Sequence, residues 1–214
     1  MRLITLIILF FISTLSIGQK IGISYGNTAV TDFYNEISVP KNLIVHYFQP
    51  MSFDSNFTVN VSLGYGISNY YEKWDYDDQV DGENKILIKG FPIELEVIYS
   101  KSISSNNDLK LFLGLGFGYY NYDRNYKFYR DSEVRSEEES KIYGFGQYYT
   151  FGTSLDIIKG ISTFLQIKKL GLSFIKGESD LLTNGESVGK LIRDINTSNS
   201  FKDFGISLGL SLKL

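Results

Sequence analysis

The chain has 214 residues with a formal charge of −3, no cysteine, 20 Gly, 16 Tyr, 16 Phe and only three Pro. An acidic balance argues against a nucleic-acid binder, which needs a basic face, and the lack of cysteine removes any disulfide framework. The aromatic and glycine content, with so little proline, is that of an all-β chain.

Met1 and Arg2 give a short basic start, and the apolar stretch Leu3 to Ile17 is broken only by Thr5, Ser13, Thr14 and Ser16. Ser16 and Gly18 set small residues before a cut, so residues 1–18 are expected to be a signal peptide, with cleavage near Gly18/Gln19. Residues 19–214 are then one domain. The leader's apolar run is shorter than the ~20 residues a spanning helix needs. No later run approaches that length, so any spanning falls to strands.

Eight strands are expected, each with successive side chains on opposite faces. The first, Lys20 to Asn27, sets Ile21, Ile23 and Tyr25 against Gly22, Ser24 and Gly26. The second, Asn42 to Gln49, has Leu43, Val45 and Tyr47 on one face and Ile44, His46 and Phe48 on the other. In the third, Phe57, Val59, Val61, Leu63, Tyr65 and Ile67 alternate with small or polar residues. The fourth presents Phe91, Ile93, Leu95, Val97 and Tyr99 outward and Gly90, Pro92, Glu94 and Glu96 inward. Ile86, Ile88 and Lys89 run out of that phase, which predicts a bulge near Gly90.

The fifth strand alternates Leu109, Leu111, Leu113, Leu115, Phe117 and Tyr119 with Lys110, Phe112, Gly114, Gly116 and Gly118. The sixth carries Tyr143, Phe145, Tyr149, Phe151, Leu155 and Ile157 outward, interrupted by Gln147. Lys159 and Gly160 turn into the seventh, Ile161 to Lys168, whose phase slips at Lys168 and Lys169. The eighth is the clearest: Phe204, Ile206, Leu208, Leu210, Leu212 and Leu214 against Gly205, Ser207, Gly209, Ser211 and Lys213.

Connections after even strands are short, and those after odd strands are longer and charged, notably Asp75 to Asn84, Asp123 to Ser140 and Gly177 to Asn199. Outer-membrane barrels keep short turns on the periplasmic side. The expected fold is therefore an eight-stranded antiparallel up-and-down transmembrane β-barrel with long extracellular loops. Tyr70, Tyr71, Trp74, Tyr119, Tyr120 and Tyr122 would form its outer aromatic girdle, and Tyr47 and Tyr99 the inner one.

With Gly90-Phe91-Pro92-Ile93-Glu94-Leu95 and the Gly/Leu alternation of strands five and eight, the chain resembles the small outer-membrane barrels of the OmpA/OmpX type, and more closely PorT-like outer-membrane proteins. Leu214 stands where such barrels usually carry a terminal aromatic. The resemblance implies residence in the outer membrane and an accessory role in secretion or envelope integrity.

The inward charges Glu94, Glu96, Lys110, Asp156, Lys168 and Lys213 are expected to neutralise one another as a structural network, because an eight-stranded lumen has room only for packed side chains. A catalytic carboxylate pair is the disfavoured alternative. His46, the single histidine, would be needed by a Ser/His hydrolase, but no G-x-S-x-G surrounds a serine. Asp75, Asp77, Asp78, Asp81 and Glu83 fail the EF-hand spacing and are expected to form a solvated loop. No cofactor or metal is expected.

The expected function is a non-enzymatic integral barrel contacting outer-membrane lipid and an envelope or surface protein, with no nucleic acid. The rival is a secreted lipocalin-like ligand binder, whose apolar face would point inward. Mass spectrometry of the mature protein should show a chain starting at Gln19 or its cyclised form. Intact Met1 in outer membranes would remove the leader.

Overall fold

The computed structural model describes residues 18–27, 41–54, 56–76, 80–104, 106, 108–130, 133–183, 186–194 and 204–214; the expected leader up to residue 17 lies outside them. They form β1 (Lys20–Asn27), β2 (Lys41–Pro50), β3 (Phe57–Tyr76), β4 (Val80–Ser102), β5 (Leu109–Arg130), β6 (Glu133–Ile158), β7 (Ile161–Thr183), β8 (Glu186–Asp194) and β9 (Phe204–Lys213). Neighbours pair in chain order from β1 to β7, and β9 then pairs with both β7 and β1, so eight antiparallel strands close a ring. The eighth position is shared. Ile161–Lys169 of β7 pair with β9, and Lys176–Thr183 pair with β8 above it.

Closure imposes a stagger. Lys213 bonds to Gly160 at the start of β7, and the pairing runs on through Lys20, Phe48, Asn60, Glu96, Gly116 and Tyr148 to Leu170. One circuit thus returns to β7 about ten residues higher, which tilts the strands by roughly 40° in a barrel of this size. At one end the connections are tight: Met51 N bonds Phe57 O at 2.8 Å, Ile103 N bonds Leu109 O at 3.0 Å, and Gly160 turns the chain with φ +92°, a conformation L side chains rarely adopt.

The outward face is apolar all the way round. Ile23, Leu43, Leu63, Leu95, Leu113, Leu115, Phe151, Leu165, Leu208 and Leu210 are all exposed, Leu113 to 59%. Soluble proteins do not carry a continuous apolar surface of this extent. On β5 the band runs from Leu109 to Tyr119, about 25 Å along the axis at about 3.3 Å per residue and this tilt, which matches the lipid-facing band of transmembrane barrels. Tyr119 caps it, its ring 5.0 Å from Phe145 and 6.5 Å from Phe91. At the short-turn end Tyr99 and Phe57 lie 5.1 Å apart. The exterior is that of a barrel embedded in hydrocarbon, and the lipocalin-like arrangement, with its apolar face inside, is the reverse of the one found.

Several expectations are corrected. The register of β3 against β4 and of β4 against β5 is unbroken through Gly90, so there is no bulge there. Ile86 and Ile88 point inward because the lumen at that height is itself apolar. Tyr120 and Tyr122 are not girdle residues: both are buried inside, in one cluster with Ile86, Ile88, Ile142, Tyr148 and Leu170. The slip on β7 is a bulge, but it lies beyond Lys168, where residues 171 and 172 stand opposite Gln147. The charged stretches read as loops are mostly strand. β5 and β6 continue to Arg130 and Glu133, β3 and β4 to Tyr76 and Val80, and the stretch from Gly177 onward supplies the end of β7 and all of β8. The side chains of Tyr70, Trp74, Asp75 and Asp81, and residues 77–78, lie outside the described set.

Inside, large side chains lie over glycines of neighbouring strands. A Cβ on Gly114 would come 2.2 Å from Glu96 Oε1, one on Gly116 2.4 Å from the Tyr148 ring, and one on Gly152 2.2 Å from the Phe112 ring. Adjacent β5 positions therefore respond to substitution for opposite reasons. Leu113→Arg should cost roughly 2 to 4 kcal/mol by placing charge in lipid, whereas Leu113→Ala should be mild. Gly114→Leu should cost about 1 to 3 kcal/mol or more by overpacking against Glu96. Heat-dependent gel mobility after refolding into lipid reads all three, and normal folding of Leu113→Arg without detergent would overturn the lipid-facing assignment.

Candidate functional site

The lumen is stacked in layers, and the six inward charges expected to form one network fall into two groups. Glu94, Glu96 and Lys168 meet at mid-height. Lys110 and Asp156 meet at the short-turn mouth, where Lys213 is exposed with no carboxylate partner among the described residues. Between the groups lies an apolar layer of Ile98, Phe112 and Phe164 with Phe48 packed against it.

At mid-height Lys168 Nζ pairs with Glu94 Oε2 and lies 4.9 Å from the centre of the Tyr148 ring. Ser62 and Tyr120 hydroxyls donate to the same Glu94 carboxylate at 3.2 and 3.3 Å. Glu96 accepts from Asn60 Nδ2 at 3.2 Å and from Gln166 Nε2 at 3.4 Å, and Ser207 donates to Gln166. A buried ion pair survives desolvation only when its remaining lone pairs are satisfied in this way. Asn60, Ser62, Tyr120 and Gln166 are parts of the site that sequence reasoning missed. They come from three strands, β3, β5 and β7, and nothing local in the chain marks them as partners.

His46 carries the arrangement closest to catalytic chemistry. Its Nε2 lies 2.7 Å from Ser24 Oγ and its Nδ1 3.3 Å from Asn60 Nδ2. A serine, a histidine and an orienting third residue are the parts of a nucleophilic hydrolase, provided the histidine presents a bare nitrogen to the serine. The surrounding bonds assign the other tautomer. As a carboxylate Glu96 accepts, so the Asn60 amide faces it with one N–H and turns its other N–H towards His46 Nδ1. The ring proton then sits on Nε2 and is donated to Ser24. The serine meets a donor instead of a base. The ring is also enclosed, stacked on Phe48 at 5.4 Å and edge-on to Phe164 at 5.5 Å, and is 1% exposed.

Above this layer Tyr122 donates to Asn42 Oδ1 at 3.0 Å within the aromatic cluster, and Tyr148 is fully buried. Higher still, Arg124 stands near Glu138 and Tyr126, and Tyr126 donates to Asn84 at 2.7 Å. On the outer face of the hairpin β5–β6, beyond the apolar band, Lys127 bonds Glu137 at 2.7 Å and holds its carboxyl below the ordinary value. The short-turn mouth is held more loosely: Lys20 and Lys110 lie 3.7 and 3.9 Å from Asp156, and Lys20 and Asp156 both bond Ser162.

No family model matches the chain, and no curated protein sequence matches it. Among solved structures it is similar to a major outer membrane protein from Thermus thermophilus, with 10% identity over 92% of this chain and 99% of that one and a TM-score of 0.48. It is also similar to CarO of Acinetobacter baumannii, at 13% identity over 94% and 98% with a TM-score of 0.42. A third is Ail, the attachment invasion locus protein of Yersinia pestis, at 11% identity over 92% and 97% with a TM-score of 0.40.

The central pair offers a direct test. Lys168→Met strands Glu94 in the lumen and should destabilise the barrel by about 3 to 5 kcal/mol. Adding Glu94→Gln should restore most of that loss. Urea unfolding in lipid vesicles measures both; equal losses from the single and double variants would mean that the pair is not coupled.

Proposed function

We propose that this protein is a non-enzymatic integral barrel of the bacterial outer membrane, exported with a leader cut at Gly18/Gln19, whose lumen is plugged and whose hairpins reach a protein partner at the cell surface or in the envelope. The observation that carries this reading is the contrast between the two surfaces: a continuous apolar band outside and two sealed apolar layers inside, around Phe112 and Phe164 below and Tyr120, Tyr122 and Tyr148 above. Such a body is anchored in lipid and passes nothing through its centre, so its contacts with other molecules fall to its ends.

The short-turn end then faces the periplasm, and the hairpins β3–β4, β5–β6 and β7–β8 stand outside. Their walls are polar: Lys85, Lys89, Lys127, Lys141, Asp123, Glu137 and Glu139 lie on the outward face beyond the apolar band. The resemblance to PorT-like proteins supports an accessory role in secretion or envelope integrity. The Nε2–H tautomer of His46, which presents a donor to Ser24, and the enclosure of that ring support the absence of catalysis.

Reconstituted in planar bilayers, the purified barrel should show no stable channels. A photocrosslinker at the exposed position Val134 in intact cells should capture an envelope or surface protein that one at lipid-facing Leu113 does not. Reproducible large openings would overturn the plugged lumen, and identical capture from both positions would overturn the role of the hairpins.

A further inference from the structure

The short-turn end of the lumen is an open vestibule of about 1080 Å³. Phe48, Ile98, Phe112 and Phe164 floor it, with Phe48 and Phe164 packed edge to face at 5.9 Å. Its walls carry hydroxyls of Ser100, Ser154 and Ser211, and its lining ionisable side chains are Lys20, Lys110, Lys159 and Lys213 against Asp108 and Asp156. Asp156 is shared by Lys20 and Lys110, which leaves Lys213 and Lys159 exposed and without carboxylate partners among the described residues. The vestibule is therefore a dead-ended cavity with an apolar bottom, polar sides and a positive mouth.

We propose that it binds a single-chain anionic amphiphile, the carboxylate held among the mouth lysines and the alkyl chain laid on the phenylalanine floor. Each part of the cavity restricts the ligand. A cation is repelled by the lysine excess, because a cleft lined by one sign of charge concentrates the opposite one. A bare inorganic anion leaves the phenylalanines wet, whereas each methylene covering them strengthens binding by about fourfold. A polymer has no exit, since the mid-height layer closes the way through. The volume is just above the usual range for small-molecule sites, which leaves room for a whole alkyl chain. This inference rests on the geometry of the barrel interior and does not depend on the cellular location of the protein.

The absence of cysteine makes the test simple. Ser154→Cys puts one thiol in the vestibule wall, and Ser52→Cys puts one on an exposed turn at the same end as a control. In lipid nanodiscs, an anionic methanethiosulfonate should modify Ser154→Cys about tenfold faster than a cationic one of equal size, relative to the same ratio at the control. Octanoate should slow modification at Ser154→Cys and not at Ser52→Cys, decanoate should do so at lower concentration, and octyltrimethylammonium should not protect. Lys110→Gln combined with Lys213→Gln should abolish both the anion preference and the protection. Equal reaction with both reagents, equal protection by the cationic amphiphile, protection that survives loss of the lysines, or no reaction at all would each overturn the proposal.

Discussion

The width of the ring governs everything inside it. Eight strands with a stagger of about ten residues enclose a lumen only wide enough for interleaved side chains, so inward volume has to be shared between neighbouring strands. The chain does this by setting each bulky group over a glycine: Glu96 over Gly114, Tyr148 over Gly116, Tyr120 beside Gly118, Phe164 over Gly209, Asn42 over Gly66. The Gly and Ser alternation is the mould into which the polar and aromatic layers are cast. It is also why Glu94 and Lys168 are held as a pair, since no bulk water reaches mid-height to solvate either, while Glu96 relies on the amides of Asn60 and Gln166.

Outside, the physics is reversed. Lipid gives the Leu, Ile and Phe of the band no incentive to leave it, so the folded state depends on closed backbone hydrogen bonding and on the contents of the lumen. The hairpins continue the same registers beyond the band without a break on β4, and β5 and β6 stay paired to Arg130 and Glu133. Whatever the hairpins touch, they touch from a base fixed by the Glu94–Lys168 layer and the tyrosine cluster. The plug is in this sense part of the scaffold for the surface.

Alternation made the ring legible where small inward residues faced large outward ones, as on β5 and β9. It failed where both faces were apolar: Ile86 and Ile88 looked out of phase, and Tyr120 and Tyr122 looked like girdle residues, because side-chain hydropathy cannot tell a lipid face from an apolar lumen layer. The hairpins were misread for the opposite reason. Above the membrane both faces of β5 and β6 are polar, so the period of two carries no contrast and charged strand reads as loop. Inward placement of Glu94, Glu96, Lys110 and Lys168 followed from parity alone. The partners Asn60, Ser62 and Gln166 at mid-height, and Lys20 beside Asp156 at the mouth, required the registers between strands, which no local pattern contains.

The seam between β1 and β9 differs from every other junction in the ring. Most neighbours are joined by a hairpin, with connections as short as the two residues of Lys159–Gly160. The seam instead sets Lys20 against Lys213 and Tyr25 against Leu208, nearly the whole chain apart. Joining such distant segments in one step costs on the order of 5 kcal/mol of chain entropy by the logarithmic rule for loop closure. That cost shrinks once the intervening hairpins have curled into a sheet and brought the two edges together. Its inward face is lined by Gly22, Ser24, Ser207, Gly209 and Ser211, small groups that let the edges meet without repacking a layer. The seam is therefore the junction whose closure gains most from the other hairpins already being in place.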